Sequence, residues 1–113
     1  MDERTIAKES LETTGFSYTL SLINGKYKMS ILYTLMQFRV VRFNEFKKYI
    51  EEISFKTLSS TLKELEADQL VSRKEYPQIP PKVEYRLTER GESLIPILDN
   101  LCQWGEDHRI AKG

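Results

Sequence analysis

Three prolines within five residues, Pro77, Pro80 and Pro81, interrupt the chain between two stretches that otherwise read as β-strands. Upstream lies Val71 to Tyr76. Downstream, from Val83 to Leu87, Val83, Tyr85 and Leu87 alternate with Glu84 and Arg86, the period of two that marks a half-buried strand. Proline fixes φ and offers no N–H to a ladder, so the linker from Pro77 to Lys82 cannot continue either strand. The two strands are therefore expected to pair as a hairpin with a stiff, projecting tip, a wing.

Before Leu70 the period is helical. Ser54 is placed to cap a helix in which Phe55, Leu58, Leu62 and Leu65 recur as one apolar face running to about Asp68. Asn44 is placed to cap a preceding helix with apolar Phe46, Tyr49 and Ile50, and Glu51-Glu52 reads as the turn after it. Two helices joined by a turn of about three residues make a helix-turn-helix. Further upstream Tyr27, Ile31, Leu32, Leu35 and Met36 keep helical spacing up to a strand-like stretch from Phe38 to Val41. Phe16, Leu20 and Ile23 form a shorter stripe that Asn24-Gly25 should stop. Residues 1–15 are polar and read as a mobile arm or a frayed helix. After the wing, Thr88 is placed to cap a final helix. Its apolar residues Leu94, Ile95, Ile97, Leu98, Leu101, Cys102 and Trp104 cover more circumference than one core-facing stripe and need a second surface.

The expected fold class is mainly α with a small β-hairpin wing (α+β), a winged helix-turn-helix. With 113 residues there is room for one domain spanning 1–113 and no second. No apolar run approaches the roughly 18 to 20 residues of a membrane span, and the start, MDERTIAKES, lacks the layout of a signal peptide, which points to the cytoplasm and away from membranes. One cysteine, Cys102, and one histidine, His108, supply neither a disulfide nor a metal-ligand set, and no Gly-rich phosphate loop is present. No cofactor, metal or catalytic residue is expected, and an enzyme has little to build on.

Seventeen basic and seventeen acidic residues cancel, so binding through bulk charge is excluded. Their distribution is uneven. From Arg39 to Lys63 six basic residues (Arg39, Arg42, Lys47, Lys48, Lys56, Lys63) face three acidic ones (Glu45, Glu51, Glu52), whereas residues 91–108 contain Glu92, Asp99, Glu106 and Asp107 and no Lys or Arg. On a helical wheel centred on Leu58, Ser60 lies opposite the apolar face, with Lys56, Thr57 and Lys63 about 120–140° from it. Hydroxyls and cations of this kind donate to phosphates or to guanine acceptors in a major groove. Ser54, Lys56 and Thr57 are the base-edge or phosphate candidates at the helix start, Ser60 and Lys63 follow one turn on, and Lys82 is offered to the backbone at the wing tip. The partner so implied is double-stranded DNA.

The blocks LINGKYKMSILYTL, RFNEFKKYI, LKELEADQLV and YPQIPPKVEYRLTERG, in that order, resemble the HxlR-type family of bacterial winged-helix transcriptional regulators over about residues 16–108. The resemblance implies a homodimer, built largely from the N-terminal segment and the C-terminal helix, that binds a pseudo-palindromic operator. Arg42, from the locally basic stretch, is also counted among the DNA-binding candidates. Phe16 and Leu20 then join Leu94, Leu98, Leu101 and Trp104 as expected interface residues. Some members sense oxidants through a Cys-Pro pair ahead of the first core helix, where this chain has Thr14-Gly15, so a thiol switch there is not expected. Cys102, on the apolar side of its helix, is expected to pack as a small hydrophobe. Tyr27, Tyr33, Phe38, Phe43, Phe46 and Trp104 either line a pocket for an unidentified small-molecule effector or, as helical spacing favours, fill the core. The competing function is a winged-helix interaction module without DNA recognition.

Overall fold

The computed structural model describes residues 8–111. A 3-10 turn over Lys8–Thr13 leads into helix α1 (Gly15–Ile23), followed by α2 (Lys28–Phe38) and strand β1 (Val41–Arg42). A second 3-10 turn, Phe43–Glu45, runs into α3 (Phe46–Tyr49), then come α4 (Phe55–Ala67), β2 (Val71–Tyr76), β3 (Lys82–Leu87), α5 (Glu89–Glu92) and α6 (Ile95–His108). The strands form one antiparallel sheet in the order β1-β3-β2. The fold is the winged helix-turn-helix expected from the sequence. The part of the N-terminal arm that covers residues 1–7 lies outside the described residues.

The core is built by Ile31, Leu32 and Leu35 of α2, Val41 of β1, Phe46, Ile50 and Ile53 around the helix-turn-helix turn, and Leu58, Leu62 and Leu65 of α4. Leu70, Val71 and Tyr85 extend it to the root of the wing. Burial of each large aliphatic chain stabilises by about 1.5–3 kcal/mol as an upper estimate. α6 sends only Leu98 into this core, and α1 buries none of its residues fully. The radius of gyration, 16.9 Å with extents of 63 × 41 × 24 Å, accordingly exceeds the ~13 Å of a compact domain of about this length.

Several local expectations are corrected. The stretch from Phe38 is not a strand: α2 continues to Phe38, whose ring stacks on Tyr49 at 4.3 Å, and only Val41–Arg42 pair with β3. Asn44 caps nothing; the Glu45 carboxylate accepts the Arg42 N–H at 2.8 Å, so the helix-turn-helix begins one 3-10 turn earlier. Phe55 is not on the buried stripe but 51% exposed. Thr88 caps the four-residue α5, not the final helix. Pro96 accounts for the break, because its missing N–H and its ring exclude a helical bond to the Glu92 carbonyl, and α6 restarts with this proline in its first turn. Leu98, expected at a dimer interface, is 5% exposed and belongs to the protomer's own core, while Leu94 is half-buried against that core. Cys102, expected to be packed, is exposed. Among the aromatic residues expected in the core, Phe46 is fully buried and Tyr27 and Phe43 pack against it, whereas Tyr33, Phe38 and Trp104 are exposed.

Where α4 hands over to the wing, the chain is tightly tied. Gln69 takes positive φ (61°), and the N–H groups of Gln69 and Leu70 return to the carbonyls of Glu66 and Leu65 at 2.9 and 3.0 Å, closing a Schellman motif with Leu70 and Leu65 both buried. Thr88 then donates its N–H to the Leu70 carbonyl at 3.0 Å and its hydroxyl to the Gln69 carbonyl at 2.6 Å. Gly91 faces the same spot: a Cβ there would stand 2.1 Å from the Leu70 carbonyl oxygen. Backbone must move to admit it. Gly91→Ala is therefore expected to destabilise by about 1–3 kcal/mol, read as a lower midpoint in urea or heat. An unchanged midpoint would mean that this junction has slack the packing does not reveal.

Candidate nucleic-acid interface

The helix-turn-helix sets the start of α4 at the surface. Ser54 adopts extended backbone (φ −78°, ψ 158°) and its hydroxyl oxygen accepts the Thr57 N–H at 3.1 Å, as an N-cap does. The same hydroxyl donates to the Thr57 Oγ1 at 3.0 Å, and Ser60 donates to the Thr57 carbonyl at 3.1 Å. Ser54, Thr57 and Ser60 are thus engaged in holding the first turns of α4, and Thr57 is half-buried. Lys56 and Lys63 are exposed and enter no ion pair among the described residues.

Lys47 has a different task from the one its charge suggests. Its Nζ donates to the Ile53 carbonyl at 2.7 Å, across the turn, and lies 4.9 Å from the centroid of the Phe55 ring. Phe55 stacks on Phe43 at 5.8 Å, Phe43 lies 6.5 Å from Tyr85, and Tyr85 meets Phe46 edge-on at 6.0 Å. An aromatic run therefore joins the start of α4 to the middle strand of the sheet, which is why Phe55 leaves the core stripe without being orphaned. Burial pushes the Tyr85 hydroxyl up, against the opposing pull of Arg73 opposite it on β2.

Between α4 and the wing runs a groove of about 950 Å³. Ser59, Lys63 and Glu66 line it from one helix face, Arg42, Glu45 and Lys48 from the start of the helix-turn-helix, and Arg73 and Lys82 from the wing. Its cations, Arg42, Lys48, Lys63, Arg73 and Lys82, outnumber Glu45 and Glu66, and the Glu45 carboxylate is already taken by the Arg42 N–H. Of the sequence candidates, Arg42, Lys63 and Lys82 thus come together on one concave surface; Lys56 stands at the exposed helix start beside it. Lys82 is not at the wing tip. It opens β3, with its Nζ 4.2 Å from the Tyr76 ring centroid and 3.7 Å from Glu84. Sequence reasoning missed Ser59, Lys48 and Arg73. Arg73 was findable, since the hairpin register sets it opposite Tyr85, but only once the register was known.

Large apolar side chains are exposed on two other helices. Phe16 (66% exposed), Leu20, Leu101 and Trp104 (65% exposed) lie uncovered on α1 and α6, together with Tyr18 and Ile97. Tyr18 is tied to the body: Arg90 donates to its hydroxyl at 2.6 Å and to the Asp68 carbonyl at 3.1 Å. No helix among the described residues is long and apolar enough to cross a membrane.

A profile described as HxlR-like helix-turn-helix matches residues 22–112. An uncharacterized HTH-type transcriptional regulator of Halalkalibacterium halodurans is 59% identical over 97 residues, 86% of each chain. The HTH-type regulator YkvN of Bacillus subtilis is 56% identical over 91 residues, 80% of this chain and 76% of that one. Among solved structures, the redox regulator HypR in its oxidized form superposes with a TM-score of 0.79 at 42% identity, covering 87% of this chain and 100% of that one. The HTH-type regulator YtcD superposes with a TM-score of 0.79 at 44% identity over 84% of this chain and 96% of that one.

If Lys47 staples the turn, Lys47→Met should leave the Ile53 carbonyl without its charged donor and cost about 1–2 kcal/mol, with faster amide exchange around residues 53–56. Lys48→Met, one residue on and exposed, should stay within about 0.5 kcal/mol of the parent. Equal effects of the two in urea unfolding would show that Lys47 is an ordinary surface lysine.

Proposed function

Because the chain belongs to the HxlR-like helix-turn-helix family, and is therefore a DNA-binding transcriptional regulator and not an enzyme, we propose that it reads a pseudo-palindromic operator as a homodimer, with α4 in the major groove. The observation that carries this reading is the cation-lined groove beside the exposed start of α4. Lys56 stands where a recognition helix first meets base edges, with Thr57 beside it. Arg42, Lys63, Arg73 and Lys82 form the wall that meets phosphates, and Ser54 and Ser60 keep α4 in its entry geometry. Such contacts fix register without reading sequence.

Dimerisation is supported by what the protomer leaves uncovered. Phe16 and Leu20 on α1 and Leu101 and Trp104 on α6 are large, apolar and exposed, and helix faces of that kind, left uncovered by the protomer's own core, are what a second subunit would cover. Leu98 is left out of the proposed interface, and Leu94 contributes only its outer edge. A two-fold axis through these helices would set the two copies of α4 in successive major grooves, about 34–36 Å apart, so the operator would be an inverted repeat. No thiol switch is proposed at the start of α1, because Thr14 stands there and its hydroxyl accepts the Ser17 N–H as the helix cap.

Two measurements test the reading. On a duplex selected by the parent chain from a random pool, Lys56→Ala and Thr57→Ala should each cost about 1–3 kcal/mol and relax preference at matching positions of both half-sites. Lys63→Ala should instead weaken all duplexes about equally and flatten the salt dependence by about one counterion per subunit. Lys82→Ala should do the same more weakly, since Glu84 and Tyr76 already engage its ammonium. If the parent's preference survives both α4 substitutions, α4 is not the reader. For the assembly, Leu101→Glu with Trp104→Glu should give a folded monomer in sedimentation, where the parent sediments as a dimer at micromolar concentration; a parent that sediments as a monomer would end the dimer proposal.

A further inference from the structure

We propose that Ile79, at the wing tip, is an apolar probe of the DNA minor groove that selects A·T over G·C pairs flanking the bases read by α4. This rests on α4 being the major-groove reader. β2 and β3 stay paired over their whole length, from Val71 opposite Leu87 to Tyr76 opposite Lys82. Six residues per strand at about 3.3 Å each carry the tip roughly 17–20 Å from the root of the hairpin.

Charge stops short of that tip. The last charged layer is the neck, where the Nζ atoms of Lys74 and Lys82 lie 4.9 and 4.2 Å from the centroid of the Tyr76 ring. Beyond it come Pro77, Gln78, Ile79, Pro80 and Pro81, with no ionisable side chain. The three prolines have no N–H, and that of Gln78 is donated to the Tyr76 carbonyl at 2.9 Å. Apart from the Gln78 carboxamide and the Ile79 N–H, the loop brings no donor and no charge, so it has little with which to hold phosphate. What it does present is the side chain of Ile79, 100% exposed, on a segment whose prolines restrict its backbone.

A duplex offers an isoleucine apolar surface in two places: the thymine methyl in the major groove, and the deoxyribose walls of the minor groove. With α4 in a major groove about 12 Å wide, a hairpin of this reach carries its tip beyond the bounding phosphates to the neighbouring minor groove. That groove is about 6 Å wide, and its base-edge code separates A·T from G·C only by the guanine 2-amino group. Pressing that donor against an isoleucine would desolvate it without a partner, which is costly; an A·T floor has no such group. Preference for A·T, without distinction between A·T and T·A, follows.

The test uses the full chain and the selected duplex, with the positions flanking each half-site changed to G·C, to hypoxanthine·cytosine, or to A·U. Hypoxanthine lacks only the 2-amino group of guanine, and uracil only the methyl of thymine. The parent should favour A·T, A·U and hypoxanthine·cytosine flanks over G·C by about 5-fold or more. Ile79→Ala should melt as the parent does and keep half-site preference, but lose the flank preference. Ile79→Lys should bind every flank more tightly, with a salt dependence steeper by about one counterion per subunit. A flank preference unchanged in Ile79→Ala, or one that vanishes when uracil replaces thymine, would overturn the inference. A parent that reads its half-sites with no flank preference would overturn it alone; loss of discrimination within the half-sites belongs to the test of α4.

Discussion

The Leu70 peptide is the point on which the rest of the molecule depends. Its N–H closes the end of α4, its carbonyl receives the Thr88 N–H, and Gly91 presses on that same carbonyl. Four elements, α4, β2, β3 and α5, therefore meet at one residue, and the first rung of the wing, Val71 opposite Leu87, is laid down directly beside it. A hydrogen bond between a helix end and a distant loop is worth only about 1 kcal/mol net. Here several share one geometry, so the angle between α4 and the wing is set by backbone and not by long surface side chains. The groove between them inherits its width from this junction.

Much of this was legible in the sequence. The stripe of Leu58, Leu62 and Leu65, the capping role of Ser54, the hairpin and its proline tip all follow from period and local chemistry, and the structure has them. What was not legible depended on contacts between elements. Phe55 fits the helical stripe by spacing, yet Phe43 and Tyr85 draw its ring to the surface beside the sheet. Lys47 adds to a count of positive charge, but its ammonium is occupied by the Ile53 carbonyl. Leu98 reads like its neighbours on α6, and only packing distinguishes the one leucine that enters the core from those left outside. Period finds faces; it does not say which neighbour each face meets.

The same limit applies to the wing. Lys82 is the cation nearest the prolines in sequence, and so seemed to belong to the tip. Strand pairing puts it opposite Tyr76 instead, where ring and Glu84 hold it back from the end. The hairpin thus separates two surfaces a few residues apart, a charged neck and an uncharged tip, and the separation comes from register alone.

A final consequence follows from charges that sum to zero yet are not evenly spread. Arg42, Lys48, Lys63, Arg73 and Lys82 line one groove, while Asp99 and Asp107 stand exposed on α6 and Glu106 there pairs with Arg109. Such a molecule has little net pull toward a polyanion and gains from one only through the local field of that groove. Within about a Debye length, 8–10 Å at ordinary salt, approaches that present the groove to the phosphates are favoured over the rest. The neutral remainder gives the molecule little reason to linger on other polyanions it meets along the way.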